Sequence, residues 1–446
     1  MVLPPKPPSP LDRLLDTLSW FLDRRHAELL DPLFLGLLLA RGRRTATAWF
    51  RSGGIAADFR RGYTLLGTIS RAKIDSCACV LFSHLRRDVP AGPRWLFAID
   101  DSPTERYGPC VEGAGLHHNP TPGPSHQAFV YGHIWVTTAW VVRHPQWHTR
   151  ALPLLADLYI REKDLPKIDA DRRPDFVTKL DLAASQIRWA AEELRGTDKP
   201  IWFVVDGFYG KRPVLKEAQA DGVTVVGRLR RDAALRDLPP PVPADRRGPG
   251  RPRKYGKHRL SLAKRAGQAR GWGQVTCFQY QEEVTKTAKT FLATWGPAGG
   301  VIRVVLVRED GRWLAYFSTD PLATVRDILE AAAGRTAIEE TFKDVKEVEG
   351  AGDQQLRYWR ANEGAFHWCL WGYTVVEWWA WGRPFEGLCD RSGSPWDDAQ
   401  RRPSHASRRQ ALQREMLGEE FWRRWGARPC PPEIREVVEV LLDLAA

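Results

Sequence analysis

The chain has 446 residues, a formal net charge of +12 at pH 7, a pI of about 9.5 and 43% hydrophobic residues. This length suits one large core with insertions or roughly two to four domains, and the basic excess favours a polyanionic partner such as nucleic acid. Seven scattered cysteines without a CxxC pair argue against a disulfide framework or a zinc site, and no apolar run reaches the roughly 18 residues of a membrane span, so we expect a cytoplasmic protein.

The first segment, residues 1–90, has the pattern of short helices that are rich in arginine and broken by glycine. An apolar run at 33–40, for example, is followed directly by the basic run 41–45. Such a region is typical of a small DNA-binding helical domain. A helical scaffold with a solvated basic face fits the same pattern equally well.

The next segment, residues 91–232, alternates strand and helix signals. Strands are predicted at 94–101, 131–143, 147–159, 201–206 and 223–228, with helices at 176–194 and 213–220. Three strands, a helix, a strand, a helix and a strand is the element order of a ribonuclease-H-like mixed α/β sheet. By analogy of element order we therefore expect an α/β catalytic core of that kind.

A proline-rich stretch then interrupts the core, and residues 246–270 hold ten Lys or Arg and no acidic residue. Strand-like runs follow at 272–282, 286–295, 301–308 and 312–319. We therefore predict a basic linker and a β-rich insertion over 233–317. One helix from about 322 to 346 would return to the core, whose second part spans 318–385, and 386–446 would form a basic helical tail.

Within the basic stretch, arginines flank a proline between Pro249 and Lys254. This pattern resembles an extended arm that enters the DNA minor groove, and it makes Arg251, Arg253 and Lys254 candidate DNA-binding residues. A solvated basic linker is the alternative. In either case the charge predicts DNA affinity that falls with salt.

Three acidic residues stand in positions that suit chemistry. Asp101 ends the first strand of the core, Asp206 ends the strand 201–206, and Glu339 lies in a helix-like segment. Buried strands that end in carboxylates deliver them to the edge of the sheet, where open α/β sheets bind ligands. Such oxygen ligands, closed by a glutamate, predict a site for Mg²⁺ or Mn²⁺ of the kind that cuts and joins phosphodiesters.

The helix-like segment distinguishes Glu339 from its neighbour Glu340. At about 100° per residue, an apolar stripe faces the core and is formed by Ile338, Phe342 and Val345. Arg335, Glu339 and Lys346 lie at the edge of that stripe, whereas Glu340 points away from it. The cations Arg335 and Lys346, together with Lys343, suit the binding of DNA phosphates. Ordinary charge pairs on an amphipathic helix would give the same pattern.

The spacing Arg335-x3-Glu339-x6-Lys346 resembles the signature of bacterial DDE transposases of the fourth insertion-sequence group, whose full form is Tyr-x2-Arg-x3-Glu-x6-Lys. The strand ends at 98–102 and 204–207 resemble the other two acidic motifs of that group. The resemblance covers roughly residues 94–380. The tyrosine position is occupied by Ala332, so the contact that the tyrosine of the group makes with the DNA end is not implied for this chain.

The resemblance implies that Asp101, Asp206 and Glu339 bind two Mg²⁺ or Mn²⁺ ions. Asp101 is preferred to its neighbour Asp100 because the aspartate of the group precedes Thr or Ser, as Asp101 precedes Ser102. Double-stranded DNA, as terminal inverted repeats and as target, would be the substrate of cut-and-paste transposition, commonly through a hairpin end. A homodimer that bridges two element ends and a nucleoid-associated location in a bacterial cytoplasm are further implications.

Alternative functions remain open from the sequence. A domesticated transposase would bind DNA without cutting it, and a ribonuclease-H-like nuclease would act on RNA–DNA hybrids or junctions. Inverted repeats that flank the gene would favour transposition over both. A carboxylate-pair hydrolase of sugars is disfavoured by the basic charge.

Overall fold

The computed structural model describes residues 7–71, 74–119, 127–240, 253–280, 282–391, 394–398 and 400–445. The helices are α1 (Ser9–Ser19), α2 (Arg24–Ala27), α3 (Leu30–Leu39), α4 (Ala46–Ser52), α5 (Phe59–Arg71), α6 (Ile74–Asp88), α7 (Lys179–Glu193), α8 (Arg212–Ala220), α9 (Leu262–Gly267), α10 (Val325–Gly334), α11 (Thr336–Glu347), α12 (Trp359–Ala380), α13 (His405–Trp425) and α14 (Pro432–Ala445).

The strands are β1 (Trp95–Glu105), β2 (Gly115–His118), β3 (Phe129–His144), β4 (His148–Tyr159), β5 (Ile201–Val205), β6 (Thr224–Arg228), β7 (Leu235–Arg236), β8 (Arg259–Leu260), β9 (Gly273–Gln279), β10 (Glu282–Trp295), β11 (Gly300–Glu309) and β12 (Arg312–Ser318). Together they form one mixed sheet, so the fold is α/β as the sequence predicts.

The first half of the sheet has the order β4–β3–β1–β5–β6. β1 is antiparallel to β3 and parallel to β5, and β5 is parallel to β6. The crossovers between the parallel strands contain α8 and, before β5, α7. Because helices cover both faces, β5 is an almost fully buried run of apolar residues.

The β-rich segment predicted over 233–317 continues this sheet. β12 pairs antiparallel with β6 through Tyr316 and Arg228, and β11 and β10 follow on the far side. β11 and β12 are joined by Asp310 and Gly311, both at positive φ, which is the backbone of a tight hairpin. The insertion therefore extends the sheet that carries the acidic residues.

The two faces of the sheet have different neighbours. Phe97 and Ile99 of β1 share a core with α7, α8 and the N-terminal helices. Ala98 of β1 and Val204 of β5 pack instead with α10 and α11, for example against Ile338. Since successive side chains of a strand point to opposite faces, this division decides which helix each strand-end acid meets.

The N-terminal helices join the same hydrophobic core. The ring of Phe82 in α6 contacts Trp95 and Trp140 of the sheet edge-on, at centroid distances of 5.6 and 5.3 Å. α5 crosses α12 where a side chain on Gly364 would lie 1.9 Å from the carbonyl oxygen of Leu66, so only glycine fits that crossing.

Among the described helices, none combines the length and the apolar character that crossing a membrane requires.

The prediction of one helix from about 322 to 346 is wrong at Arg335, where α10 ends and α11 begins. Gly334 lies against Val141 at this junction. A β-carbon added to Gly334 would be only 3.3 Å from the Val141 side chain. The hydroxyl of Thr336 donates to the carbonyl oxygen of Ala333 and satisfies one of the acceptors that the break exposes. The break allows Arg335 to turn toward the sheet.

Buried charges fasten the C-terminal helix α13 to the core. Glu377 of α12 accepts hydrogen bonds from Arg408 of α13 at 2.7 and 2.9 Å and from Arg150 of β4 at 3.2 Å. His405 lies between Glu377 and Glu349, at 2.7 and 2.8 Å. Burial acts to raise the pKa of Glu377, but Arg408 and Arg150 outweigh it and hold that pKa well below its ordinary value.

We predict that Glu377→Gln lowers the free energy of unfolding by about 3–5 kcal/mol, because it leaves the buried Arg408 without its counter-charge and removes the nearest carboxylate of the buried Arg150. Chemical denaturation followed by circular dichroism measures this change. Asp232→Asn is the matched control, since Asp232 pairs with Arg230 at the surface, where their side chains are 71% and 79% exposed. The control should cost less than about 1 kcal/mol, and equal effects of the two changes would contradict the role of the buried network.

Candidate active site

The parallel pairing of β1 and β5 brings two aspartates together. Ile99 is paired with Val205, so Asp100 and Asp206 follow in adjacent strands on the face that α10 and α11 cover. One carboxylate oxygen of Asp206 accepts hydrogen bonds from the backbone N–H groups of residues 208 and 209, at 2.9 and 3.0 Å. These two local hydrogen bonds fix the turn after β5 and the direction of the Asp206 carboxylate.

Arg335 connects the sheet to α11. Its Nη2 donates to Oε1 of Glu339 at 2.6 Å, and its Nη1 contacts Oδ2 of Asp100. Burial acts to lower the pKa of Arg335, but Asp100, Glu339 and Asp206 outweigh it and raise that pKa. Three carboxylates from β1, β5 and α11 thus act on one guanidinium group.

The site concentrates negative charge at Asp100. The pKa of Asp100 is raised to about 7, chiefly by burial; Arg335 opposes this rise, and the carboxylates of Asp206 and Asp101 contribute to it. Burial and the same three aspartates also raise the pKa of Tyr209. Such clustering of acids in a half-buried place is typical of functional sites and favours the binding of cations.

Asp101, which the sequence favours over Asp100, points to the opposite face of β1. Its Oδ2 accepts a hydrogen bond from Nζ of Lys179 at 2.6 Å, and its Oδ1 accepts one from the hydroxyl of Tyr209 at 3.1 Å. The contacts therefore group Asp100, rather than Asp101, with Asp206 and Glu339. The assignment of Asp101 as a metal ligand stays a prediction that these contacts do not favour.

The remaining residues of α11 have the orientation that its periodicity predicts. The apolar stripe is buried, with exposed fractions of 0% at Ile338, 7% at Phe342 and 1% at Val345. Glu339 and Glu340 are both exposed, but Glu340 contacts Arg402 of the C-terminal tail at 3.1 Å. Glu340 is thus directed away from the acidic cluster.

The other predicted DNA-binding residues lie outside the acidic cluster. Lys343 and Lys346 are exposed on α11, and the charged neighbours of Lys346 are Glu347 and Glu105, the latter at the end of β1. Their phosphate contacts stay predictions.

The described residues include only the end of the predicted minor-groove arm. Arg253 and Lys254 are exposed, and Nζ of Lys254 lies near the turn between β10 and β11 at Gly299. Arg251 lies outside the described residues.

Arg228 is a cation of the site that we did not predict. It ends β6, the strand next to β5, and it lines a cavity of about 410 Å³ together with Asp206, Arg335 and Tyr316. The sequence contains a signal for it, because the strand-like run 223–228 ends in arginine just as the neighbouring run ends in aspartate.

A second cavity, of about 360 Å³, lies beside Arg143 and Phe278 on the other side of the α10–α11 junction. The guanidinium carbon of Arg143 is 3.5 Å from the centre of the Phe278 ring. None of the three clustered acids lines this cavity. The acidic cluster therefore remains the better candidate for the chemistry.

The donor chemistry of the cluster suits a hard divalent cation, because every charged donor is a carboxylate oxygen. Across the described ranges, no group of three or more His, Cys, Asp or Glu is already gathered closely enough to hold a metal ion. Instead, Asp100 and Glu339 are turned toward Arg335. A cation bound by these two carboxylates would compete with that guanidinium.

A mixed sheet with acids where two adjacent parallel strands leave their pairing, facing a helix glutamate, is typical of metal-dependent enzymes that act on phosphodiesters. The chain belongs to the DDE superfamily endonuclease family, whose family model matches residues 19–293. Members of this family generally use divalent metal ions, usually Mg²⁺, and the family implies DNA as the substrate. The matched region contains Asp100, Asp101 and Asp206 but ends before Glu339. No curated protein matches the chain.

We predict that Arg335→Gln increases the thermal stabilisation that Mg²⁺ gives to the protein. Removing the guanidinium leaves the carboxylates without their nearest counter-charge, so added Mg²⁺ should contribute on the order of 1 kcal/mol more than in the wild type. Melting curves with Mg²⁺ and with EDTA measure the difference. Lys343→Gln removes an exposed cation from the same helix and should leave the Mg²⁺ effect unchanged, whereas equal Mg²⁺ effects in both variants would contradict the competition.

Proposed function

We propose that this protein is a DNA transposase that cuts and joins DNA at the ends of an insertion sequence. The observation that carries the proposal is the convergence of Asp100, Asp206 and Glu339 on Arg335 in a DDE-family chain. Three acidic residues on a rigid sheet and helix are the minimum that a DDE-type phosphoryl transfer requires. The long, strongly basic chain suits a DNA substrate.

The sheet topology supports a ribonuclease-H-like core. β1 lies between antiparallel β3 and parallel β5, β4 flanks β3, and β6 flanks β5. The elements follow one another as three long strands, a helix, a strand, a helix and a strand, apart from the short β2. The position of the site also agrees with such a core, because the acids stand where β1 and β5 leave their pairing.

In this proposal Asp100, Asp206 and Glu339 hold two Mg²⁺ or Mn²⁺ ions. The ions would supply Lewis-acid polarisation of the scissile phosphate and activation of the attacking water or 3′-hydroxyl. The protein itself positions the carboxylates through the β1–β5 pairing and the burial of α11. Arg335 lines the same cavity as Asp206. Once Arg335 no longer binds the carboxylates, it can bind a non-bridging phosphate oxygen there.

Asp101 has a supporting role in this proposal. It holds Lys179 and the Tyr209 hydroxyl on the other face of β1 and so stiffens the turn that carries Asp206. The alternative ligand set, with Asp101 in place of Asp100, would require the loss of both contacts and a turn of the side chain across the strand. Asp101 is also the aspartate whose following serine resembles the family motif.

The finer parts of the proposal rest on the resemblance in the sequence. They are membership of the fourth insertion-sequence group, cut-and-paste transposition, and a homodimer that brings two element ends together. Lys343 and Lys346 of α11 and the basic stretch with Arg251, Arg253 and Lys254 would add affinity for the DNA backbone.

We predict that the purified protein cleaves linear DNA at the boundaries of its own element when Mg²⁺ is present, and not in EDTA. Glu339→Gln, Asp206→Asn and Asp100→Asn should each lower the cleavage rate about 100-fold or more, because a lost ligand removes several kcal/mol of charge stabilisation from the transition state. Gel analysis of end-labelled fragments that carry the gene's flanking sequences measures the rates.

Two neighbouring residues serve as matched controls. Glu340→Gln changes the adjacent residue of α11, which contacts Arg402, and should cleave at the wild-type rate. Asp101→Asn should reduce cleavage less than Asp100→Asn, and the reverse order would replace Asp100 by Asp101 as ligand. Binding without cleavage by folded wild type would favour the domesticated DNA-binding protein, and cleavage that ignores the element ends would favour the ribonuclease-H-like nuclease.

A further inference from the structure

A groove leads away from the acidic cluster along the end of β6. The cavity of about 410 Å³ that contains Asp206 and Arg335 and a smaller cavity of about 180 Å³ are both lined by Gly207, Arg228 and Leu314. The two cavities therefore adjoin at these three residues. The smaller cavity is open at the surface and is lined otherwise by residues 229–231 and by 313 and 315.

Arg228 stands where the two cavities meet. The register of β5 and β6 pairs Val204 with Val226, which packs toward α10, so Arg228, two residues later, lies on the same face as Asp206. Its side chain is exposed, and it forms a salt bridge with none of the described carboxylates. Arg335, by contrast, is already engaged with two of them.

Arg231 stands at the outer end of the groove in a fixed orientation. Its guanidinium carbon is 5.1 Å from the centre of the Trp313 ring, and Trp313 is half-buried in β12, on the face of the sheet opposite Asp206. A guanidinium that lies on an aromatic face keeps its edge N–H groups available for an anion. Of the described carboxylates, none forms a salt bridge with Arg231.

The neighbouring Arg230 shows what an ordinary surface arginine does here. It forms a salt bridge with Asp232 at 3.1 Å, and both side chains are largely solvated. Arg230 and Arg231 are adjacent and both exposed, so they differ in their partners and not in their burial. This difference distinguishes Arg231, which is oriented by an aromatic ring and has no carboxylate partner, from an arginine that only adds to the positive charge of the surface.

The backbone of the groove is rigid. The N–H of Leu229 donates to the carbonyl oxygen of Ala315 at 2.8 Å, which continues the β6–β12 pairing beyond Arg228. Arg228 thus belongs to the sheet itself, and Arg231 lies in the short turn that directly follows this last hydrogen bond to the sheet. Cations preorganised on the sheet bind a polyanion with less loss of conformational entropy than cations on a free segment.

We propose that Arg228 and Arg231 bind successive phosphates of the DNA strand that enters the acidic cluster, with Trp313 holding Arg231 in place. This inference rests on the proposed DNA-cleaving function and adds the path of the substrate to it. The groove gives the strand one direction of approach, from Arg231 and Trp313 around the end of β6 at Arg228, so that its scissile phosphate reaches Asp206 and Arg335.

The test measures the salt dependence of DNA binding. Fluorescence anisotropy of a short fluorescein-labelled duplex of mixed sequence, in EDTA to prevent cleavage, gives the dissociation constant over a series of salt concentrations. Arg228→Gln and Arg231→Gln should each reduce the slope of log K against log salt by about 0.9, as one lost phosphate contact does. Trp313→Leu should give part of the Arg231→Gln effect and little more when the two changes are combined.

Arg230→Gln is the matched control and should retain the wild-type slope, since its charge is already paired with Asp232. Equal slopes for the Arg228, Arg231 and Arg230 variants, with DNA still bound, would overturn the groove and leave the proposed function standing. Wild-type protein that is folded but binds no DNA would overturn both. Melting temperatures of all variants confirm that each is folded.

Discussion

The parallel pairing of β1 with β5 is the constraint on which the rest of the site depends. Because Ile99 is opposite Val205, Asp100 and Asp206 stand side by side and on one face where β1 and β5 leave their pairing. α11 covers that face because Ile338 is buried against the same strands, and this burial places Glu339 at the edge of the sheet. A shift of one residue in the register would turn one aspartate to the opposite face and separate the three acids.

Charge balance explains the composition of the site. Asp100, Asp206 and Glu339 would repel both one another and a DNA phosphate, and Arg335 is the cation that contacts two of them directly. A DNA strand can approach such a cluster only if cations accompany it or line its path. Divalent ions at the carboxylates and the arginine of β6, Arg228, would meet that requirement from two sides.

Much of this arrangement follows from local patterns in the sequence. The strands of the core and the apolar stripe of α11 depend on periodicity alone, and the structure has them close to the predicted bounds, but the prediction that Asp101 ends the first strand is wrong, because β1 continues to Glu105 in its pairing with β3. The pairing of Arg335 with Glu339 one turn apart is the ordinary charge pair that the same pattern offered as an alternative to phosphate binding. The choice between Asp100 and Asp101 depends on which face of β1 the distant α11 covers, which no local pattern contains. The attachment of the β-rich segment through β12 and β6, and the break of the helix at Arg335, are likewise set by contacts between residues far apart in sequence.

The most direct test of the central claim is a crystal structure of the protein with Mn²⁺ and a DNA end, in which anomalous scattering locates the metal. The account predicts anomalous peaks bounded by the carboxylates of Asp100, Asp206 and Glu339, with Arg335 turned away from them toward a phosphate. A peak bound by Asp101 on the side of Lys179, or an Arg335 that still bridges Asp100 and Glu339 in a metal-loaded complex, would contradict it.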